Sequence, residues 1–159
     1  MRIIFVCKYN RFRSRVAEAY FNKINKNKDI EALSRGIIRG DYPLNKNEVA
    51  IAKANGLDIS GRPQALDVDL LKKTDLIVIV ADNVPKQVFY TTFKHRVIKW
   101  RITDIEHGDG KDLIEGKVKK IVAKVNKLSK KLENLSYIER LKFQKKKAEL
   151  DHRNIWRKW

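Results

Sequence analysis

Cysteine and histidine are scarce in this sequence of 159 residues, and their scarcity limits its chemistry. The single cysteine cannot form a disulfide within the chain, and the three histidines do not have the spacing of metal ligands. No apolar run approaches the roughly 20 residues that cross a membrane, and the first residues do not have the layout of a signal peptide. We therefore expect a cytoplasmic protein with no metal ion, no other cofactor and no transmembrane segment.

Acidic residues are also in short supply. Nineteen Asp and Glu oppose 36 Lys and Arg, so the formal net charge is +17. Residues 117–159 carry 15 basic and 4 acidic side chains, a distribution typical of a basic appendage on a more ordinary domain. Since the length suits one compact domain, we expect that domain over residues 1–130 and a basic helical extension over residues 131–159.

Short apolar runs alternate with amphipathic segments along the first hundred residues. The sequence predicts strands at Arg2–Val6, Ile30–Leu33, Asp75–Val80 and Arg96–Trp100. It predicts helices at Ser14–Ile24, around Val49–Ala54 and within Val84–Phe93. This alternation favours an α/β fold of three layers, with a four-stranded parallel sheet covered by helices on both faces. A ligand crevice is then expected at the carboxyl ends of the strands.

A long helix with a narrow apolar seam is predicted after the last strand. Apolar residues recur there at intervals of three or four, at Ile114, Val118, Ile121, Val125, Leu128, Leu132 and Leu135. Core packing and self-association through this seam, residues 114–135, are both compatible with the pattern. Ser136–Glu139 has the form of a capping box and predicts a second helix that continues through the lysines at 145–147.

The basic residues of 117–159 have three interpretations. They can form a solvated helical extension, cover the outside of a self-associating helix, or bind nucleic acid or another polyanion. Lysine clusters supply phosphate contacts, and Trp156 and Trp159 are suited to stacking on bases or to a membrane surface.

The only cysteine, Cys7, follows the first predicted strand, and Arg13 and Ser14 stand where the next helix begins. A strand, loop and helix in this order direct backbone N–H groups and a helix N-terminus towards one point, which can hold a phosphate-like anion. The same electropositive surroundings favour the thiolate, the nucleophilic form of cysteine. The pattern therefore indicates covalent phosphoryl chemistry.

With these residues in place, the sequence resembles the low-molecular-weight protein tyrosine phosphatases, a family that includes one branch of arsenate reductases. The family's loop reads Cys-x-Gly-Asn-x-x-Arg-Ser, and Cys7, Asn10, Arg13 and Ser14 match it, whereas Tyr9 replaces the glycine. Further similar segments lie at residues 17–19, 34–36, 55–60 and 74–77. The resemblance covers about residues 1–130 and implies the family's fold, with the phosphatase loop after the first strand.

The resemblance also implies roles for the loop residues. Cys7 would accept the phosphoryl group as a phosphocysteine, and Arg13 would bind two phosphate oxygens. Ser14 would stabilise the thiolate, and Asn10 would brace the loop. The predicted substrate-binding residues are those of the loop itself: Lys8, Tyr9, Asn10, Arg11, Phe12 and Arg13. Lys8, Arg11 and Arg15 are expected to add positive charge around its mouth.

A general acid is needed because an alkoxide or phenoxide leaves poorly without a proton. The family uses an aspartate of an Asp-Pro pair after the fourth strand, and the resemblance makes Asp104 the best candidate for it here. Ile105 takes the place of the proline, and Asp109 is a second candidate for the acid.

The predicted function is hydrolysis of phosphotyrosine or a related phosphomonoester, carried by a phosphorylated protein or by a small molecule. Because Tyr9 alters the loop and the chain ends in a basic segment, the alternative is a catalytically altered module that binds nucleic acid or phosphoprotein. Arsenate reduction is a third possibility. It would need an external thiol, since this chain has no further cysteine to pass a disulfide along.

Overall fold

Four parallel strands form the centre of the molecule, in a computed structural model that describes residues 1–40, 42–89, 96–135, 139, 141–142 and 144–146. The sheet has the order β2-β1-β3-β4. Its strands are β1 (Arg2–Cys7), β2 (Glu31–Gly36), β3 (Leu76–Val80) and β4 (Val97–Trp100). The predicted four-stranded parallel α/β fold is confirmed.

Four helices have both ends within the described residues: α1 (Arg13–Ile24), α2 (Lys46–Ala54), α3 (Val68–Lys72) and α4 (Lys111–Glu133). A 3-10 turn at Lys86–Phe89 occupies part of the segment predicted as a helix, and residues 90–93 of that segment lie outside the described residues. The short helix α3 was not predicted from the sequence. Its N-cap is Asp67, whose side chain accepts a hydrogen bond from the backbone N–H of Leu70.

The core lies on both faces of the sheet because successive residues of a strand point to opposite sides. Ile3 and Phe5 of β1 pack with α1, α2 and α4. Ile4 and Val6 pack on the other side with Leu70 and Leu71 of α3. All five residues of β3 are buried, which explains its continuous aliphatic sequence.

The apolar seam of α4 belongs to this core. Six of its members, Ile114, Val118, Ile121, Val125, Leu128 and Leu132, are at most 6% exposed. Nearby, the Tyr20 hydroxyl of α1 donates to Asn126 at 3.1 Å. The expectation of self-association through the 114–135 seam is therefore not supported, because these side chains are already buried within the chain.

The helix α4 ends at Glu133 and so crosses the boundary predicted between the domain, residues 1–130, and the extension, residues 131–159. That division of the chain stays a prediction. Glu139, residues 141–142 and residues 144–146 are helical, whereas residues 136–138 of the predicted capping box lie outside the described residues. Among the described residues, no helix has the length and apolar character that a membrane span requires.

Candidate active site

Residues 8–12 form the loop between β1 and α1, at the carboxyl edge of the sheet. Asn10 has a φ of 55°, and it is the only non-glycine residue of the described chain with a positive φ. Tyr9 therefore replaces the family's glycine without adopting the left-handed conformation that glycine tolerates best. The unusual backbone geometry is carried by Asn10 instead, a residue type that tolerates this region.

Gly36, the last residue of β2, brings a neighbouring backbone against the loop. A Cβ atom at this position would lie 2.8 Å from the carbonyl carbon of Tyr9 and 3.0 Å from the nitrogen of Asn10. The next two residues donate backbone hydrogen bonds to Cys7 O (3.1 Å) and Lys8 O (3.0 Å). Close approach of two backbones thus requires a glycine here and holds the loop in place.

Asn10 connects the loop to three other segments. Its Nδ2 atom donates to Ser14 Oγ at 3.0 Å and to Ser34 Oγ at 2.8 Å, while its Oδ1 atom accepts from the backbone N–H of Gln64 at 2.9 Å. Ser34 in turn donates to the Glu18 carboxylate. Because both the nitrogen and the oxygen of the buried Asn10 amide have hydrogen-bond partners, the network fixes the position of this side chain.

The thiol of Cys7 lies against the hydroxyl of Ser14, with 3.1 Å between Sγ and Oγ. Both residues are buried, at 3% and 0% exposure. Since Ser14 Oγ already accepts a hydrogen bond from Asn10, the hydrogen of Ser14 is available for donation to sulfur. That direction stabilises a thiolate at Cys7.

Arg13 occupies the first position of α1, and its side chain is only 3% exposed. One guanidinium nitrogen donates to Asp104 Oδ2 at 2.8 Å and to Asn83 Oδ1 at 3.1 Å. The other donates to Ile102 O at 2.9 Å and to Asp82 Oδ1 at 3.3 Å. The loops after β3 and β4 therefore position this arginine beside the cysteine loop.

A cleft of about 210 Å³ opens above the thiol. It is lined by Cys7, Tyr9, Arg11, Phe12, Arg13, Glu48, Asp104 and Ile105. The structure thus brings most of the predicted loop residues together with Asp104. Two predicted loop residues do not line the cleft. The side chain of Asn10 is buried, and Lys8 extends over the Tyr9 ring, with its Nζ atom 4.9 Å from the ring centroid.

The two candidate acids lie in different surroundings. Asp104 lines the cleft and contacts Arg13, as described above, whereas Asp109 lines a separate depression next to α2. Hydrogen bonds from the Lys117 ammonium (2.9 Å) and the backbone N–H of Glu106 (3.1 Å) hold the pKa of Asp109 below its usual value. Asp109 is therefore poorly placed and poorly suited to deliver a proton.

A buried carboxyl group, Glu48 of α2, also faces the cleft. Burial raises the pKa of Glu48. The positive charges of Arg11 and Arg13 partly oppose this increase, whereas the negative charge of Asp104 adds to it. The buried Nε atom of Arg11 has no hydrogen-bond partner among the described residues. Sequence reasoning did not identify Glu48 as a site residue, because only the packing of α2 brings it to the loop.

Arg15 does not line the cleft. Its guanidinium donates to the backbone carbonyls of Ile59, Ser60 and Arg62, which anchors the segment after α2 to α1. From this position its positive charge still interacts with Cys7. At the cleft itself the positive charge comes from Arg11, which lines it, and from neighbouring Lys8.

A strand, loop and helix at the carboxyl edge of a parallel sheet, with a cysteine, an arginine and an aspartate around the loop, is an arrangement typical of α/β domains of the phosphatase type. The chain belongs to the low molecular weight phosphotyrosine protein phosphatase family, whose sequence pattern matches residues 2–147. This membership supports a phosphatase-type hydrolase. A comparison with curated protein sequences gives no significant match.

Solved structures of phosphatases and of an arsenate reductase have the same fold. A low molecular weight protein tyrosine phosphatase from T. tengcongensis is 26% identical, with a TM-score of 0.71, over 82% of this chain and 99% of that one. The YwlE arginine phosphatase from Geobacillus stearothermophilus is 18% identical, with a TM-score of 0.71, over 83% and 92%. A thioredoxin-dependent arsenate reductase from Corynebacterium glutamicum is 20% identical, with a TM-score of 0.62, over 83% and 61%.

Proposed function

We propose that this protein is a cysteine-dependent phosphatase that hydrolyses phosphotyrosine or a related phosphomonoester. The observation that carries the proposal is the convergence of Cys7, Arg13 and Asp104 on one cleft, with Ser14 against the sulfur. These groups supply the nucleophile, the oxygen-binding cation and the acid that phosphoryl transfer through sulfur requires.

In the first step, the Cys7 thiolate attacks phosphorus, so that an S–P bond forms and the P–O bond to the leaving group breaks. Arg13 binds two phosphate oxygens through its planar guanidinium. One of its nitrogens now contacts Asp104, and exchange of this contact for phosphate releases the Asp104 carboxyl group towards the leaving oxygen. The freed Asp104 carboxylate takes up a proton from water and transfers it to that oxygen as the P–O bond breaks.

In the second step, water attacks the phosphocysteine and Asp104, now a carboxylate, accepts a proton from it. The S–P bond breaks, inorganic phosphate forms, and Cys7 leaves as a thiolate. The Ser14 hydroxyl, 3.1 Å from sulfur, stabilises this thiolate by donating its hydrogen. Asn10 contributes by fixing Ser14 and the loop rather than by touching the substrate.

Tyr9, Phe12 and Ile105 give the cleft apolar surfaces that suit an aromatic leaving group. Glu48 favours a second candidate, a phosphoarginine, because a carboxyl group inside the cleft can pair with the guanidinium of such a substrate. One relative with a similar fold is an arginine phosphatase. Arsenate reduction with an external thiol is the remaining alternative for the same cysteine.

The test is hydrolysis of an aryl phosphate at mildly acidic pH by the full chain and by the Cys7→Ser variant. We expect turnover by the natural chain, with a phosphoryl group on Cys7 detected by mass spectrometry after acid quenching, and none by the variant. Phosphotyrosine and phosphoarginine peptides, and arsenate with a thiol, then rank the substrates.

Far-ultraviolet circular dichroism and inorganic phosphate binding serve as controls for the variant. Activity of the natural chain no greater than that of Cys7→Ser would contradict the proposal. If the natural chain still bound phosphate, that result would favour the altered phosphatase-like binding module.

A further inference from the structure

From residue 119 to residue 131, the exposed side of α4 is made almost entirely of lysine. Between residues 119 and 131 the exposed residues are Ala123 and the six members of what we call the lysine face: Lys119, Lys120, Lys124, Lys127, Lys130 and Lys131. The sequence has no acidic residue from 116 to 132. None of the ion pairs found between described residues involves these lysines. Within the described part of the chain, the face is therefore a row of positive charge without ion-pair partners.

The row has a defined geometry because the opposite side of α4 is buried. At about 100° per residue, the six lysines occupy an arc of roughly 140° around the helix axis. They extend over twelve residue steps, or about 18 Å at about 1.5 Å per residue. The buried side of the helix packs in the core through Val118, Ile121, Val125 and Leu128. The lysines therefore project from a helix whose position is fixed by packing.

We propose that the lysine face binds the phosphate backbone of double-stranded nucleic acid without reading its sequence. Successive phosphates of one strand are about 3.4 Å apart along a duplex, so a row of about 18 Å lies alongside roughly five of them. Lysine neutralises phosphates as a compact charge. The face contains no arginine, glutamine or exposed asparagine, the side chains that most often recognise base edges.

The composition of the face distinguishes this partner from two others. Single-stranded nucleic acid is usually bound by stacking bases on aromatic side chains, and the lysine face has no aromatic residue. A helix lying in a membrane surface inserts its apolar side among the lipids, but the apolar side of α4 is covered by the core. Phosphate contact along a duplex needs neither feature.

Duplex binding by the lysine face is independent of the proposed phosphatase activity. The residues of the lysine face do not line the cleft that holds Cys7, so duplex binding is measurable whether or not the protein turns over a phosphomonoester.

The test measures binding of the full chain to a fluorescent DNA duplex about 20 base pairs long, which exceeds the length of the face. Fluorescence anisotropy gives the association constant between about 50 and 200 mM salt, and its logarithm should fall linearly with the logarithm of the salt concentration. A variant with Lys120→Gln, Lys124→Gln and Lys127→Gln should have a slope shallower by about 2.7, since each lost phosphate contact removes about 0.9.

The matched control replaces three lysines on the other side of the sheet, with Lys72→Gln, Lys73→Gln and Lys86→Gln. It removes the same charge, and we expect its slope to equal that of the natural chain. Circular dichroism melting checks that both variants fold. As a milder comparison, Lys124→Glu alone should weaken duplex binding more than Lys73→Glu.

Two outcomes would overturn the proposal. Equal losses in the two triple variants would mean that binding follows the net charge and not the lysine face. Tighter binding to vesicles containing phosphatidylserine than to the duplex, abolished by the lysine-face substitutions, would identify an anionic membrane as the partner instead.

Discussion

Asp104 and Asp109 are five residues apart, yet the groups that hold them give them different chemistry. Asp104 lines the cleft beside Arg13, and Asp109 is held as a carboxylate by Lys117. The Asp104→Asn variant keeps the shape and the contact with Arg13 but removes the proton. We expect it to lower kcat by roughly 10²- to 10⁴-fold.

Kinetics with a series of aryl phosphates provide the measurement. The loss in Asp104→Asn should grow as the leaving phenol becomes more basic, because a basic leaving group depends most on the proton. Asp109→Asn is the matched control, with kcat near that of the natural chain. A larger loss in Asp109→Asn than in Asp104→Asn would assign the acid to Asp109.

Glu48 predicts a pH dependence of stability. Because burial raises its pKa, the folded protein binds the Glu48 proton more tightly than the unfolded chain does. Stability relative to Glu48→Gln should therefore fall as pH rises from the ordinary pKa of 4.5 through the raised value. The fall amounts to about 1.4 kcal/mol for each pH unit by which the pKa is raised.

Urea unfolding of both proteins across this pH range measures the difference. Glu106→Gln, a substitution at an exposed residue, is the control and should leave the pH dependence of stability unchanged. A gap between Glu48→Gln and the natural chain that did not change with pH would show that Glu48 is ionised equally in both states.

At the scale of elements, α4 is a core helix that also displays charge. Ile121 is fully buried between the sheet and the helix. We expect Ile121→Ala to lower the free energy of unfolding by about 2–5 kcal/mol, because it removes apolar contacts and leaves a cavity. Lys124→Ala, on the exposed side of the same helix turn, should change it by less than about 0.5 kcal/mol.

Urea unfolding of both variants and the natural chain measures these changes. Thermal melting at several protein concentrations then distinguishes core packing from self-association. A seam buried within one chain predicts a melting temperature that does not depend on protein concentration, whereas a seam shared between two chains predicts a rise with concentration. An increase over a wide concentration range, lost in Ile121→Ala, would restore the self-association hypothesis.

At the scale of the whole molecule, charge is the dominant feature. A net charge of +17 repels itself more strongly in the compact state than in the expanded unfolded chain. Sodium chloride should therefore raise the melting temperature, since the screening length falls from about 30 Å at 0.01 M to about 8 Å at 0.15 M. Differential scanning calorimetry measures the rise.

The triple lysine-face variant, with a net charge three lower, is the control and should show a smaller rise with sodium chloride. If the melting temperature of the natural chain were unaffected by salt, self-repulsion would not limit its stability.

Local patterns predicted what depends on near neighbours in the chain. The strands β1 and β3 are recognisable because they are continuous apolar runs, and α4 because its apolar residues recur at helical spacing. Short elements were harder to identify. The helix α3 has only five residues and no buried side chain, so it carries no periodic signal.

The sequence by itself determined the α/β class and a cysteine loop that resembles one phosphatase family, since both depend on spacing along the chain. Only the tertiary structure decided that Gly36 and Ser34 of β2 contact that loop, that Glu48 of α2 lines the cleft, and that Asp104 rather than Asp109 does so. It also decided that the α4 seam is core and that its lysines face outward. The physical reason is that packing, and not spacing in sequence, determines which side chains share a cleft and which remain in water.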